Sequence, residues 1–118
     1  MSAELHLDTA RASRQGFPEV VFAQGKSDAQ LANAMRGLYE AHGCALATCV
    51  TARQAEVLQR MLGAGTYDAS SALYRIHSMP ARVGCPCIVS AGTADQPCAE
   101  QAAQTLEFLG YQVSRVRD

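Results

Sequence analysis

The run Cys44-Ala45-Leu46-Ala47-Thr48-Cys49-Val50 constrains this chain most, because it is largely apolar with little alternation. A strand reads this way when both of its faces are covered, as in parallel sheets flanked by helices. Helical signals stand on each side of it. Upstream, Ser27 is placed as an N-cap and Gln30, three residues on, completes a capping box. Leu31, Met35 and Leu38 follow at helical spacing, and Gly43 falls where a left-handed C-terminal residue belongs. Downstream, Thr51 and Gln54 repeat the box, and Val57, Leu58, Met61 and Leu62 form a second apolar stripe. Gly63 and Gly65 close that helix.

The flanks extend the pattern. Within the polar first twenty residues, Gly16-Phe17-Pro18 is a turn signal, and Glu19 to Ala23 then reads as a strand ended by Gly25. Ser71 to Ile76 reads as another strand. The sum is βαβαβ, a layered α/β unit with right-handed crossovers. Met79 to Gly84 reads as a linker, and Cys87 to Ala91 opens a new apolar strand. A helix is expected from about Pro97 to Leu109, with Pro97 suited to its first turn and Gly110 at its end. Tyr111 to Val116 alternates as a final strand. The expected fold class is therefore α/β, layered βαβ units with a mostly parallel sheet, divided into residues 1–79 and residues 80–118. A lone crossover covers only one face of two parallel strands. The second unit is thus expected to need further strands, and the chain to be a piece of a longer protein.

Composition excludes several classes. About half of the 118 residues are apolar, enough for a core, and the formal charge of -1 offers no footprint for nucleic acid or an anionic membrane. No apolar run approaches the roughly 20 residues of a spanning helix. Met1 to His6 lacks the basic start of a signal peptide, so a cytoplasmic location is expected. The cysteines at 44, 49, 85, 87 and 98 are odd in number, which argues against a disulfide framework without a secretory signal. Cys85-Pro86-Cys87 is spaced C-x-C with no histidine at zinc-finger distance, so no metal site is expected. Most of these cysteines read as small buried hydrophobes. His6, His42 and His77 share no spacing with each other or with an acidic partner. His42, in a last helical turn, is explained as a favourable charge at a helix C-terminus.

The strongest chemical signal is Ala91-Gly92-Thr93-Ala94-Asp95-Gln96-Pro97. A glycine directly after a buried strand permits a sharp turn and close backbone approach to a ligand. Thr93 and Asp95 then stand at the mouth of a helix, whose free N–H groups and partial positive charge suit phosphate or carboxylate. Such sites lie at the carboxyl ends of strands in open α/β sheets. Spacing alone favours a plainer reading, that Thr93 or Asp95 simply caps the helix, as these residue types commonly do. The stretch is neither a Walker loop nor a G-x-G-x-x-G fingerprint.

Gly92 to Ala102 resembles the Gly-Ser/Thr-x-Ser-Asp…Glu-x-Ala opening of class I aminoimidazole ribonucleotide carboxylases and mutases. It is more similar to the Ala-Gly-Thr-Ser-Asp-x-Pro-x-Ala-Glu-Glu-Ala pattern of the pyridinium-3,5-biscarboxylate mononucleotide synthase family. Arg14-Gln15-Gly16-Phe17-Pro18-Glu19-Val20-Val21-Phe22, followed by Gly25-Lys26, looks like that family's N-terminal signature, with Leu7-Asp8 and Arg11 fitting the approach to it. The two matches stand in the family's order and cover most of the chain.

The resemblance implies an α/β chain truncated relative to the family, with Gly92, Thr93, Ala94 and Asp95 lining a pocket for substrate ribose and phosphate. Ala94 stands where Ser is usual, so one hydroxyl is missing there. Cys98 stands where Val is common and reads as a packing variant rather than the nucleophile, which in the family comes well downstream. Arg14 and Lys26 are candidate contacts to an anionic substrate, or simply solvated. The implied reaction is carboxylation of the pyridinium ring of nicotinic acid adenine dinucleotide with carbon dioxide or bicarbonate, with release of AMP, in the route to the nickel-pincer cofactor of lactate racemase. A thiolate adduct would make the opposite ring carbon nucleophilic. This chain would supply positioning rather than the nucleophile and is expected to be inactive alone. Magnesium would assist at the pyrophosphate, though no carboxylate cluster suggests a dedicated protein site. Relatives of this kind imply a homo-oligomer. The alternatives are a purine-pathway mutase and a non-catalytic nucleotide-binding or regulatory module.

Overall fold

The computed structural model describes residues 19–117. The chain runs through β1 (Val21–Phe22), α1 (Asp28–His42), β2 (Ala45–Thr48), α2 (Ala52–Leu62), β3 (Thr66–Asp68) and β4 (Leu73–Ile76). It continues through β5 (Cys87–Ser90), a 3-10 turn at Thr93–Asp95, α3 (Gln96–Phe108) and β6 (Ser114–Arg117). The mixed α/β architecture built on βαβ units is the one expected. The expected turn at residues 16–18 lies outside the described residues.

Both capping boxes form. At the start of α1 the Gln30 N–H donates to Ser27 Oγ at 3.1 Å, and the Ser27 N–H donates to Gln30 Oε1 at 2.9 Å. At α2 the corresponding bonds between Thr51 and Gln54 are 3.1 and 3.0 Å. Gly43 and Gly63 end these helices with φ of 75° and 69°. Each cap satisfies N–H groups that the helix itself leaves without partners.

The first four strands form one sheet in the order β1-β2-β4-β3. β1 and β2 are parallel, but β4 runs antiparallel to both β2 and β3. The mostly parallel sheet expected from the sequence is therefore only partly so. The reason is β3, which the sequence reading passed over: the chain leaves α2, forms a short strand and doubles back. Gly65 makes this possible, since its φ is 118° and a Cβ there would overlap the Tyr74 ring. β4 also begins two residues later than expected, because Ser70 and Ser71 hydroxyls fold onto the Asp68 carboxylate.

Alternation along the strands sorts the core into two clusters. Val21, Ala45, Ala47, Tyr74 and Ile76 pack against Leu31, Met35 and Leu38 of α1 and Leu58 of α2. Burying each large apolar side chain here contributes about 1.5–3 kcal/mol. Cys44, Leu46 and Leu73, from the opposite face of the sheet, meet Phe108 of α3 in a smaller cluster. The central run is thus covered on both sides, as its composition implied.

β5 and β6 form a separate parallel pair, Cys87 opposite Ser114 through Ser90 opposite Arg117. α3 connects them and touches both sheets. Toward the four-stranded sheet it offers Phe108 and Gln104. Toward β6, Glu100 and Glu107 hold Arg115. The other face of the pair is bare: Val89 is 72% exposed, its partner Val116 is 50% exposed, and all of β6 is exposed. This overturns the reading of the cysteines as mostly buried. Only Cys44 is buried, while Cys49, Cys85, Cys87 and Cys98 are exposed. Cys87 shares the uncovered face with Val89, and burial of Cys44 raises its thiol pKa.

The segment read as a linker is pinned in place. The Met79 N–H donates to the Phe108 carbonyl at 2.8 Å and the Arg82 N–H to the Gly110 carbonyl at 2.9 Å. These bonds occupy carbonyls at the end of α3 that would otherwise lack donors. Gly110 has φ 106°, and a Cβ on it would run into the Pro80 backbone.

Candidate functional site

The candidate turn begins where β5 ends. Gly92 takes φ 74° and ψ 165°, a conformation that L side chains rarely adopt, and open space surrounds the position of its missing Cβ. Backbone freedom, rather than crowding, is what this position requires. Thr93, Ala94 and Asp95 then make one 3-10 turn, with the Gln96 N–H donating to the Thr93 carbonyl. Pro97 lies in the first turn of α3, as expected.

The capping reading fails. Asp95 occupies the N-cap position of α3 but makes no side-chain capping bond, and Gly92, before the 3-10 turn, has no side chain to offer. Asp95 has φ -88° and ψ -7°, unlike the extended N-caps Ser27 and Thr51. An extended N-cap points its oxygen back at the N–H groups; a helical one does not. The amides at this helix end are left without the side-chain partner that α1 and α2 possess.

Beside this turn is an open hollow of about 510 Å³, lined by Val89, Ser90, Ala91, Asp95, Cys98 and Ala102, among others. Asp95, just before α3, and Cys98, Ala99 and Ala102 in its N-terminal half fall on one stripe facing the hollow, with residues 88–91 of β5 and its end on the other side. Ser90, at the end of β5, is 9% exposed, and its hydroxyl accepts from Gln96 Nε2 at 3.1 Å. This bond ties the strand end to the first residue of the helix.

Among the expected site residues, the fold brings Asp95 to the hollow and leaves Gly92, Thr93 and Ala94 exposed on its flank. Lys26 belongs to the other sheet: its ammonium donates to the Phe22 carbonyl at 2.9 Å. Arg14 lies outside the described residues. Cys98 is exposed on the hollow's wall rather than packed, which corrects its reading as a packing residue. Among the described residues, no three His, Cys, Asp or Glu side chains converge as a metal site would require, and no helix is long and apolar enough to cross a membrane.

Sequence reasoning missed a polar chain behind the site. Asp68 on β3 accepts from Ser70, Ser71 and Gln104. Gln104 also donates to Glu100 at 3.1 Å. Arg115 reaches Glu100 at 2.7 Å and Glu107 at 2.8 Å, and Arg117 reaches Glu100 at 3.4 Å. The Ser71 hydroxyl, followed by Gln104 and Ser70, lowers the Asp68 pKa. Arg115, then Gln104, lowers that of Glu100. Partners 36 positions apart leave no local pattern to find.

A parallel crossover with a glycine turn at its strand end and an uncapped helix beside an open hollow defines a layered α/β chain built on βαβ units. The chain belongs to the LarB/PurE-like N-terminal domain family, whose model matches residues 3–78, a family related to carboxylases and mutases. It is 33% identical over 124 aligned positions to "Uncharacterized protein MJ0165" of Methanocaldococcus jannaschii, an alignment covering 97% of this chain and 48% of that protein. The chain thus spans about half the length of that relative.

Proposed function

We propose that the Gly92–Asp95 turn binds the phosphate and ribose of a nicotinic acid adenine dinucleotide-like substrate within a pyridinium carboxylase. The observation that carries this reading is the uncapped start of α3 beside an open hollow, where the other two helices among the described residues are fully capped. Uncapped amides at a helix N-terminus favour an oxyanion. Thr93 adds a hydroxyl donor, and the Asp95 carboxylate suits a ribose hydroxyl. The family relationship supports carboxylase-type chemistry. The pyridinium ring, carbon dioxide or bicarbonate, magnesium on the pyrophosphate and the route to a nickel-pincer cofactor belong to the proposal, as do a homo-oligomeric state and a cytoplasmic location. This turn supplies binding and orientation rather than bond making.

Calorimetric titration of the chain with nicotinic acid adenine dinucleotide, with carboxyaminoimidazole ribonucleotide as control, tests it. Saturable binding of the dinucleotide is expected, weakened about tenfold in Thr93→Ala, the scale of one hydrogen bond to a charged group. Preference for the imidazole ribonucleotide would move the reading to a purine-pathway mutase. Binding of neither would overturn it in favour of a structural or regulatory domain.

A further inference from the structure

We infer that the Asp68–Gln104 contact is an acid-releasable latch, holding the β5–α3–β6 unit against the four-stranded sheet so that this unit can open as a separate step. Three features carry the inference. The apolar joint is small: Cys44, Leu46, Leu73 and Phe108 are its buried members. The larger cluster, by contrast, lies entirely within residues 21–76. Opening the joint would therefore expose little apolar surface and leave the larger core intact.

The second feature is the geometry of Gln104. Its amide group donates to Asp68 on the hairpin and to Glu100 on its own helix, and accepts from Ser71 at 3.2 Å. One side chain thus carries most of the polar contact between α3 and the hairpin. The third feature is a small cavity at this point, about 30 Å³, walled by Leu46, Thr66, Asp68, Leu73, Arg75 and Gln104. That is room for about one or two water molecules, so the joint is not closely packed and the Asp68 carboxylate is within reach of solvent protons.

The charged groups facing the latch set the sign. Arg75 lines the cavity from β4, Glu100 and Glu107 project from α3, and Arg115 and Arg117 approach from β6. Asp68 and Glu100 both have pKa values below their ordinary ones. A depressed native value means stabilisation that is complete above the unfolded carboxyl range and fades as pH falls through the native value. The latch holds at neutral pH and loosens progressively as pH falls below the ordinary carboxyl range toward the depressed native values.

Hydrogen exchange of the whole chain, read as protection factors at pH 7 and at about pH 2, well below the ordinary carboxyl range, tests the latch. Amides of α3 and β5 should lose about tenfold or more in protection at the lower pH while those of α1 and β2 hold, on the scale of a hydrogen bond to a charged group. Asp68→Asn and Gln104→Ala should each weaken α3 at pH 7 and remove most of the acid response. Equal loss of protection in α1 and α3 would overturn the inference, because the chain would then open as one unit. An undiminished acid response in Asp68→Asn would overturn it as well. A merely destabilised variant is recognised by loss of protection in α1 as well as α3 at pH 7, which the latch excludes.

Discussion

The two ends of this chain solve the problem of burying a βαβ crossover differently. In the first, α1 and α2 have reciprocal caps, and their apolar stripes close over one face of the four-stranded sheet. In the second, α3 starts without a cap and the sheet it covers is bare on its far side. The N-terminal amides of both helices of the first unit find their side-chain partners within it. The second unit keeps its amides, its hollow and its Val89–Val116 face available, and leans on the first for order. On the function proposed above, the first unit is the scaffold and the second carries the binding surface.

Substitutions can break that comparison. Tyr74→Ala removes a fully buried ring whose hydroxyl donates to the Ala64 carbonyl at 2.6 Å. It should cost about 3–5 kcal/mol in denaturant unfolding and take both units with it. Gly110→Ala forces a Cβ toward Pro80 in an unfavourable φ region. A loss of about 2–3 kcal/mol is expected, with near-native α1 and α2 exchange, since the damage falls on the second unit. The caps give the sharpest contrast. Thr51→Ala should lower stability by about 1 kcal/mol, whereas Asp95→Ala, which removes no capping bond, should stay within about 0.5 kcal/mol. Equal costs would erase the distinction between the helices. Smallest of all, Val89→Thr with Val116→Thr should leave unfolding within about 0.5 kcal/mol. Light scattering should show less self-association if the bare face drives it.

How much was legible follows from what is local. Ser27 with Gln30 and Thr51 with Gln54 act within four residues, so their caps could be read directly, as could the double-sided burial of residues 45–47. β3 could not: Thr66–Asp68 is three residues long, partly exposed and adjacent to a glycine that read only as a helix end. With β3 missed, the reversal of β4 was missed too. The candidate turn was found by its glycine and its place before a helix. Whether Asp95 capped that helix depended on a backbone ψ that no residue type fixes. The exposure of Cys85, Cys87 and Cys98 depended on what covers β5 and α3, which is a tertiary matter.

One further consequence comes from Arg115. None of β6 is buried, so no apolar side chain fixes how far it slides along β5. The guanidinium, gripped by Glu107 and Glu100 and held well above its ordinary pKa by them, acts as the peg that sets the alignment. An ammonium at that position would meet the two carboxylates as a point rather than a fork. Ionic strength, to which oil-like contacts are nearly indifferent, thereby becomes the solvent variable that governs whether this last strand keeps its place.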